Sequence, residues 1–188
     1  MKQLIGLVVV GLVALAPGSA HAGGYIGFGM GANAKLHGDF VDHFDTTDAT
    51  SARLTIGKRT GPLAIEGTFF GTELNSLTPR IAGGATSAVS AEVALKYFFN
   101  LQGRLEAYVG AGLNKTWITD ENEDVMAEGF SGDGYSASLG LQYNLSALVA
   151  KASVWLDYTH AETTLTHASR AELNGGTRTL SVGLSFGF

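Results

Sequence analysis

Apolar and small polar residues alternate strictly along this chain, in stretches repeated about eight times, and such a rhythm confines it to half-buried strands. Successive side chains of a strand point to opposite faces, so a period of two marks a two-faced sheet. At 51–57, Ala52, Leu54 and Ile56 share one face, with Ser51, Arg53, Thr55 and Gly57 on the other. At 89–97, Val89, Ala91, Val93, Leu95 and Tyr97 oppose Ser90, Glu92, Ala94 and Lys96. At 151–158, Ala152, Val154, Leu156 and Tyr158 oppose Lys151, Ser153, Trp155 and Asp157. The first such stretch sets Ile26, Phe28, Met30, Ala32 and Ala34 against odd-numbered residues from Gly27 to Lys35. Stretches at 63–72, 106–114, 135–143 and 179–188 repeat the pattern.

Before the first strand stands a segment of another kind. Lys2 supplies a positive charge, residues 4–16 are apolar, Pro17 and Gly18 break the run, and Ala20-His21-Ala22 offers small residues where a signal peptidase reads. This is the layout of a secretory signal peptide. The run is shorter than the roughly 18 residues that a spanning helix needs. Residues 1–22 are therefore expected to be a signal peptide and 23–188 a single domain. The chain has no cysteine, so disulfides play no part in its stability. A net charge of −5 without a basic stripe speaks against nucleic-acid binding.

Alternation alone leaves open whether the apolar face points inward, as in a soluble barrel, or outward. Charged residues make up 15% of the chain, and 26 of its 188 residues are glycine. Typical soluble domains carry roughly 25% charged residues and about 7% glycine. The polar faces consist mainly of Gly, Ser, Thr and Ala, too small and too sparsely charged for a solvated exterior but suited to a narrow lumen. Their few charges come in both signs: Arg53, Lys96 and Lys151, with Lys35, against Glu66, Glu92, Glu106 and Asp157. Aromatic residues gather near strand ends, at Tyr97, Phe98, Phe99, Trp117, Tyr135 and Tyr143, where a membrane interface favours them. Short links near 58–62, 99–104 and 144–147 alternate with long ones near 37–48, 73–85, 119–133 and 161–176. The expected fold is all-β: a closed antiparallel up-and-down transmembrane β-barrel of about eight strands.

Two segments carry a family resemblance. One is the end of the chain, with Leu180, Val182, Leu184, Phe186 and Phe188 at alternating positions, and the other is Tyr108-Val-Gly-Ala-Gly-Leu113. They resemble the small outer-membrane β-barrel family of OmpA-type and OmpX-type barrels. That resemblance implies a Gram-negative cell envelope, an outer-membrane location and porin-like architecture. It also implies lipid and lipopolysaccharide as surroundings, a monomer, and a terminal aromatic signal read by the barrel-assembly machinery. It implies no activity, since its members differ widely in what they do.

Candidate chemistry is sparse. The lumen charges Arg53, Glu66, Glu92, Lys96, Glu106, Lys151 and Asp157 are expected to pair and fill the interior, with a narrow ion-conducting pore as the alternative. Asp120, Glu121, Glu123, Asp124, Glu128 and Asp133 form an acidic loop without the ligand order of a calcium loop. His37, His43, His160 and His167 all fall at the outer end, near Asp39, Asp42 and Asp45, where closure of a barrel brings the first and last loops together. Imidazoles beside these carboxylates make Zn²⁺ or Cu²⁺ binding a minor alternative, but their sequence spacing is not that of a metal site, and no metal, cofactor or catalytic residue is assigned. His167-Ala-Ser169 resembles the His-x-Ser of outer-membrane lipid A deacylases, in which the imidazole activates the serine. Arg170 stands where that family has Asn, and the last strand holds no acid to orient the histidine. A deacylase-like enzyme is therefore only an alternative to the expected non-enzymatic envelope or surface role. Phe40, Phe44, Met126 and Phe130 are apolar residues in the outer loops, with two equal readings: a contact surface for an unknown ligand or protein, or packing of the loops against each other.

Overall fold

The computed structural model describes residues 22–45, 51–76, 86–120, 130–146, 151–166 and 172–188. The strands are β1 (Ala22–Gly38), β2 (Phe44–Asp45), β3 (Ser51–Thr60), β4 (Leu63–Ser76), β5 (Thr86–Gln102), β6 (Leu105–Asp120), β7 (Ser131–Ser146), β8 (Lys151–Thr166) and β9 (Glu172–Gly187). One helical turn, α1 (Phe40–His43), follows β1. The signal-peptide expectation for residues 1–21 lies outside the described residues.

Eight strands close into a ring. Each of β3 to β9 pairs antiparallel with its neighbour in sequence, and β1 pairs with both β3 and β9. The two-residue β2 adds to the end of β4. Gly24 and Phe188 exchange backbone hydrogen bonds at 3.1 and 2.9 Å, so the last residue completes the seam. A closed ring has no free edge, which is what allows a sheet to sit in hydrocarbon.

The faces are assigned as the alternation demands. Outward side chains are large, apolar and exposed, with Met30, Leu95, Leu113, Leu139 and Val182 among them. Inward side chains are small or polar and buried, including Ser51, Thr55, Thr68, Thr116, Ser136 and Ser181. A soluble protein would reverse this. Tyr97, Phe99, Tyr135, Tyr143 and Tyr158 stand exposed on the outer wall near the ends of the apolar band. Phe98 does not join them: its position turns it into the lumen, where it packs on Tyr108.

The tight turns at 61–62 and 103–104 fall at one end of the barrel. Gly61 and Gly103 both have φ +59°, a left-handed conformation that costs a residue with a Cβ. The longer connections lie at the other end, which by the usual asymmetry of these barrels is the outer one. The strands run further outward than their composition suggests. Most have 16 or 17 residues, where about 9–11 suffice to cross. Their outer portions are therefore strand rather than loop, with His160, ten residues along β8, at the outer edge of the span and His37 beyond it.

One register shift corrects the sequence reading. Between Ala32 and Lys35, β1 uses one more residue than β9, a bulge that reverses the parity of the rest of the strand. Lys35 is consequently exposed instead of lumenal, Leu36 faces the interior, and His37 turns outward.

Candidate functional site

The interior is organised around Asp157 on β8, which is fully buried. Arg53 on β3 donates to it at 2.7 Å across the lumen, and the Tyr108 hydroxyl donates to its second oxygen at 2.6 Å. The Thr159 hydroxyl donates as well. Lys96 on β5 lies 3.8 Å from Asp157 and pairs directly with Glu66 on β4. Lys96 also stands 4.5 Å from the Tyr108 ring centroid, and the Arg53 guanidinium lies over Trp155 at 5.3 Å. Charges so enclosed are tolerable because each has a partner of opposite sign, and Asp157 accepts from two hydroxyls besides. Their convergence draws five of the eight walls into one knot.

A second pair closes the periplasmic end. Arg59 grips Glu106 through two bonds of 2.8 and 2.7 Å, and Asn144 donates to the same carboxylate at 2.9 Å. The Arg59 guanidinium rests 4.0 Å from the Phe98 ring centroid. The sequence-derived network omits Arg59 because it falls beside the Gly61-Pro62 turn. Its odd number, in step with Arg53 and Thr55, is the signal that could have found it.

Of the seven expected lumen charges, Arg53, Glu66, Lys96, Glu106 and Asp157 are buried in these pairs. Glu92 is buried on β5 toward the outer end, and its Oε2 has no hydrogen-bond partner among the described residues. Lys151 shares the inward parity but is exposed at the periplasmic rim, away from the knot.

The outer mouth is apolar. Phe40 from α1 packs with Ile118, Leu165 and Leu173, and Leu36, Ala88 and Phe130 border the cluster. Phe40 is thus buried and Phe130 half-buried, so the contact-surface expectation does not hold for Phe40; both pack the mouth of the barrel. The side chains of Phe44 and Met126 lie outside the described residues, as do Glu121, Glu123, Asp124, Glu128, His167, Ser169 and Arg170. Val41, beside Phe40, is exposed.

On the outside of the wall the apolar face of β8 ends at Tyr158, and His160 and Glu162 stand above it. His37 and His160 each place Nε2 against Glu162 Oε1, at 2.9 and 3.0 Å. Burial alone would raise the Glu162 carboxyl, but the hydrogen bonds from the two imidazoles hold it below the usual carboxylate range. Sequence order separates His37 from His160 by most of the chain; barrel closure and the bulge bring them together.

An apolar band facing outward around a paired, polar lumen defines an outer-membrane barrel. The chain belongs to the outer membrane protein beta-barrel domain family, whose profile matches residues 4–188; it is a protein of the bacterial outer membrane. Among solved structures it is similar to Neisserial surface protein A, at 14% identity and a TM-score of 0.58, covering 92% of this chain and 100% of that one. Ail, the attachment invasion locus protein of Yersinia pestis, is 16% identical with a TM-score of 0.51, covering 89% and 97%. OprG from Pseudomonas aeruginosa is 14% identical with a TM-score of 0.50, covering 90% and 96%. At such identities the likeness is one of fold. No curated protein matches the sequence.

Proposed function

We propose that this protein is a monomeric, non-enzymatic barrel that acts through its outer rim and loops, as an envelope component or by surface recognition, and not by conducting solutes. The Arg53–Asp157 layer carries this reading. It stands between two small cavities, of about 60 Å³ toward the outer end and about 20 Å³ toward the periplasmic end. With the interior filled at mid-height and the mouth lined by Phe40, Ile118 and Leu165, the rim is the surface left for chemistry. Two proteins of similar fold carry names that refer to a surface position and to attachment, which accords with this reading. Export by residues 1–22 and recognition of Leu180, Val182, Leu184, Phe186 and Phe188 by the assembly machinery belong to the same proposal.

Photo-crosslinking on intact cells tests it, with probes at Val41 and Phe44 and a lumen-facing control at Ser138. A discrete adduct at the loop probes alone identifies a recognition partner. Adducts only to lipopolysaccharide remove the recognition role and leave the structural one. Lipid A from cells expressing the protein is expected to keep its acylation pattern by mass spectrometry. A lost acyl chain would overturn the non-enzymatic reading.

A further inference from the structure

The bulge in β1 and a single glycine in β9 together build a cluster on the outer wall. Before the bulge, odd-numbered residues such as Gly27 and Gly31 face the lumen; after it, His37 faces out. His37 on β1, Gly176 on β9 and Glu162 on β8 then form one row across the sheet, with Lys35, Arg178 and His160 in the row nearer the membrane. Gly176 faces outward by its parity and is nevertheless buried, because the His37 ring lies over it. A Cβ there would come within 2.9 Å of His37 Cε1 and 1.8 Å of the Ala161 carbonyl oxygen. Lacking that Cβ, β9 lets His37 reach across to Glu162. The two imidazoles stack with centroids 4.9 Å apart and planes 14° from parallel. One nitrogen of each imidazole and a Glu162 oxygen lie within 4.8 Å of one another.

We propose that His37, His160 and Glu162 form a binding site for a divalent transition-metal ion of the zinc class, open to the cell exterior. Two imidazoles and one carboxylate are a ligand set that suits Zn²⁺ and disfavours Ca²⁺ or Mg²⁺, which prefer oxygen alone. A tetrahedral ion with bonds of about 2 Å holds its ligand atoms roughly 3.3 Å apart, so the two His–Glu separations need open by only a few tenths of an ångström, while the two imidazole nitrogens, as much as 4.8 Å apart, must draw together by rotation of the stacked rings. The side chains are 20% exposed at His37 and 32% at His160 and Glu162. An ion can therefore enter from outside and keep water as its fourth ligand.

Protons and neighbouring cations oppose the ion. Each imidazole must free Nε2, which moves its remaining proton to Nδ1. At His37, Nδ1 is buried and has no hydrogen-bond partner among the described residues, so the proton placed there lacks an acceptor and its desolvation counts against the ion. At His160, Arg178 Nε donates to Nδ1 at 3.4 Å and so favours the proton on Nε2. Arg178 is exposed and can swing away, but until it does it competes with the metal, with Lys35 beside it adding positive charge. Arg178 is in this sense a positioning residue, acting on the ion through His160.

The test is calorimetric titration of Zn²⁺ into the untagged chain, refolded in lipopolysaccharide-free micelles at about pH 7.5. Circular dichroism checks that each variant keeps its strands. The expected result is one ion per chain. His37→Ala and His160→Ala should weaken binding by more than the roughly 10–100-fold seen when a supporting residue is lost. Glu162→Gln, which keeps the shape of the side chain, should also weaken it and serves if either alanine variant misfolds. Arg178→Gln should tighten it, an effect that loss of a merely structural contact would not produce. The double variant His43→Ala/His167→Ala should bind as the parent does. The proposal is overturned if the parent shows no one-site binding, or if binding survives loss of His37 and His160. It is equally overturned if binding follows His43 and His167, or arises only with lipopolysaccharide present, which assigns the ion to lipid phosphates.

Discussion

Asp157 illustrates how much one residue can carry when it faces a narrow lumen. Four side chains converge on it, from β3, β5, β6 and β8 itself. Asp157→Asn leaves Arg53 enclosed without its counter-charge. Removing one partner of a buried pair costs about 3–5 kcal/mol, whereas replacing both with apolar residues of similar volume is often close to neutral. Urea unfolding in micelles should therefore show a large loss for Asp157→Asn and a much smaller one for the double variant Arg53→Met/Asp157→Leu. Equal losses would mean that the pair itself is not what matters. Glu162 makes a second residue-level case, this time in contact with water. Its carboxyl is held below the ordinary value of 4.5, so what it contributes is complete above that value. That contribution is lost as the pH falls through the lowered one. A carboxyl-carbon NMR titration should place the Glu162 midpoint below 4.5, and His160→Ala should bring it back toward that value.

At the scale of strands, the alternation makes nearly the whole architecture legible, because each strand separates a lipid face from a lumen face and the sequence must record that division. Ala52, Leu54 and Ile56 can be assigned outward and Arg53 and Thr55 inward without coordinates. The bulge leaves no such mark. Residues 32–35 read as unbroken alternation, and the extra residue shows only against the β9 register, which is why parity alone puts Lys35 inside and does not pair His37 with His160. The strand extensions escape for a related reason: above the membrane both faces meet water, so the pattern fades while the hydrogen-bonded ladder continues. Glycine placement on β1 and β9 has a use that composition alone does not reveal. Gly29 and Gly183 make room for the Trp155 ring, and a Cβ at either would come within 2.3 Å of it. Gly183→Val should destabilise the barrel by about 1–3 kcal/mol, the usual cost of overpacking. In a Trp117→Phe background it should also shift the emission of Trp155, now the sole tryptophan. An unchanged spectrum would show that the ring sits elsewhere.

For the molecule as a whole, a filled lumen predicts electrical silence. Planar bilayers containing the purified barrel should show no steady conductance at neutral pH, and a stable open channel would restore the pore reading. The same knot also bears on how the protein enters a bilayer. Arg53 and Asp157 are 104 residues apart in the chain and meet only when strands from both ends of the sequence have taken their places. A hairpin carrying either one alone would bring an uncompensated charge, and an unsatisfied sheet edge, into hydrocarbon. Stepwise insertion of one hairpin after another is therefore uphill until the last partner arrives, and the route of least cost is for closure and crossing to occur as a single event. The lumen charges thus act as a checkpoint on membrane entry: a partly assembled chain stays at the surface, and the ring that goes in is already whole.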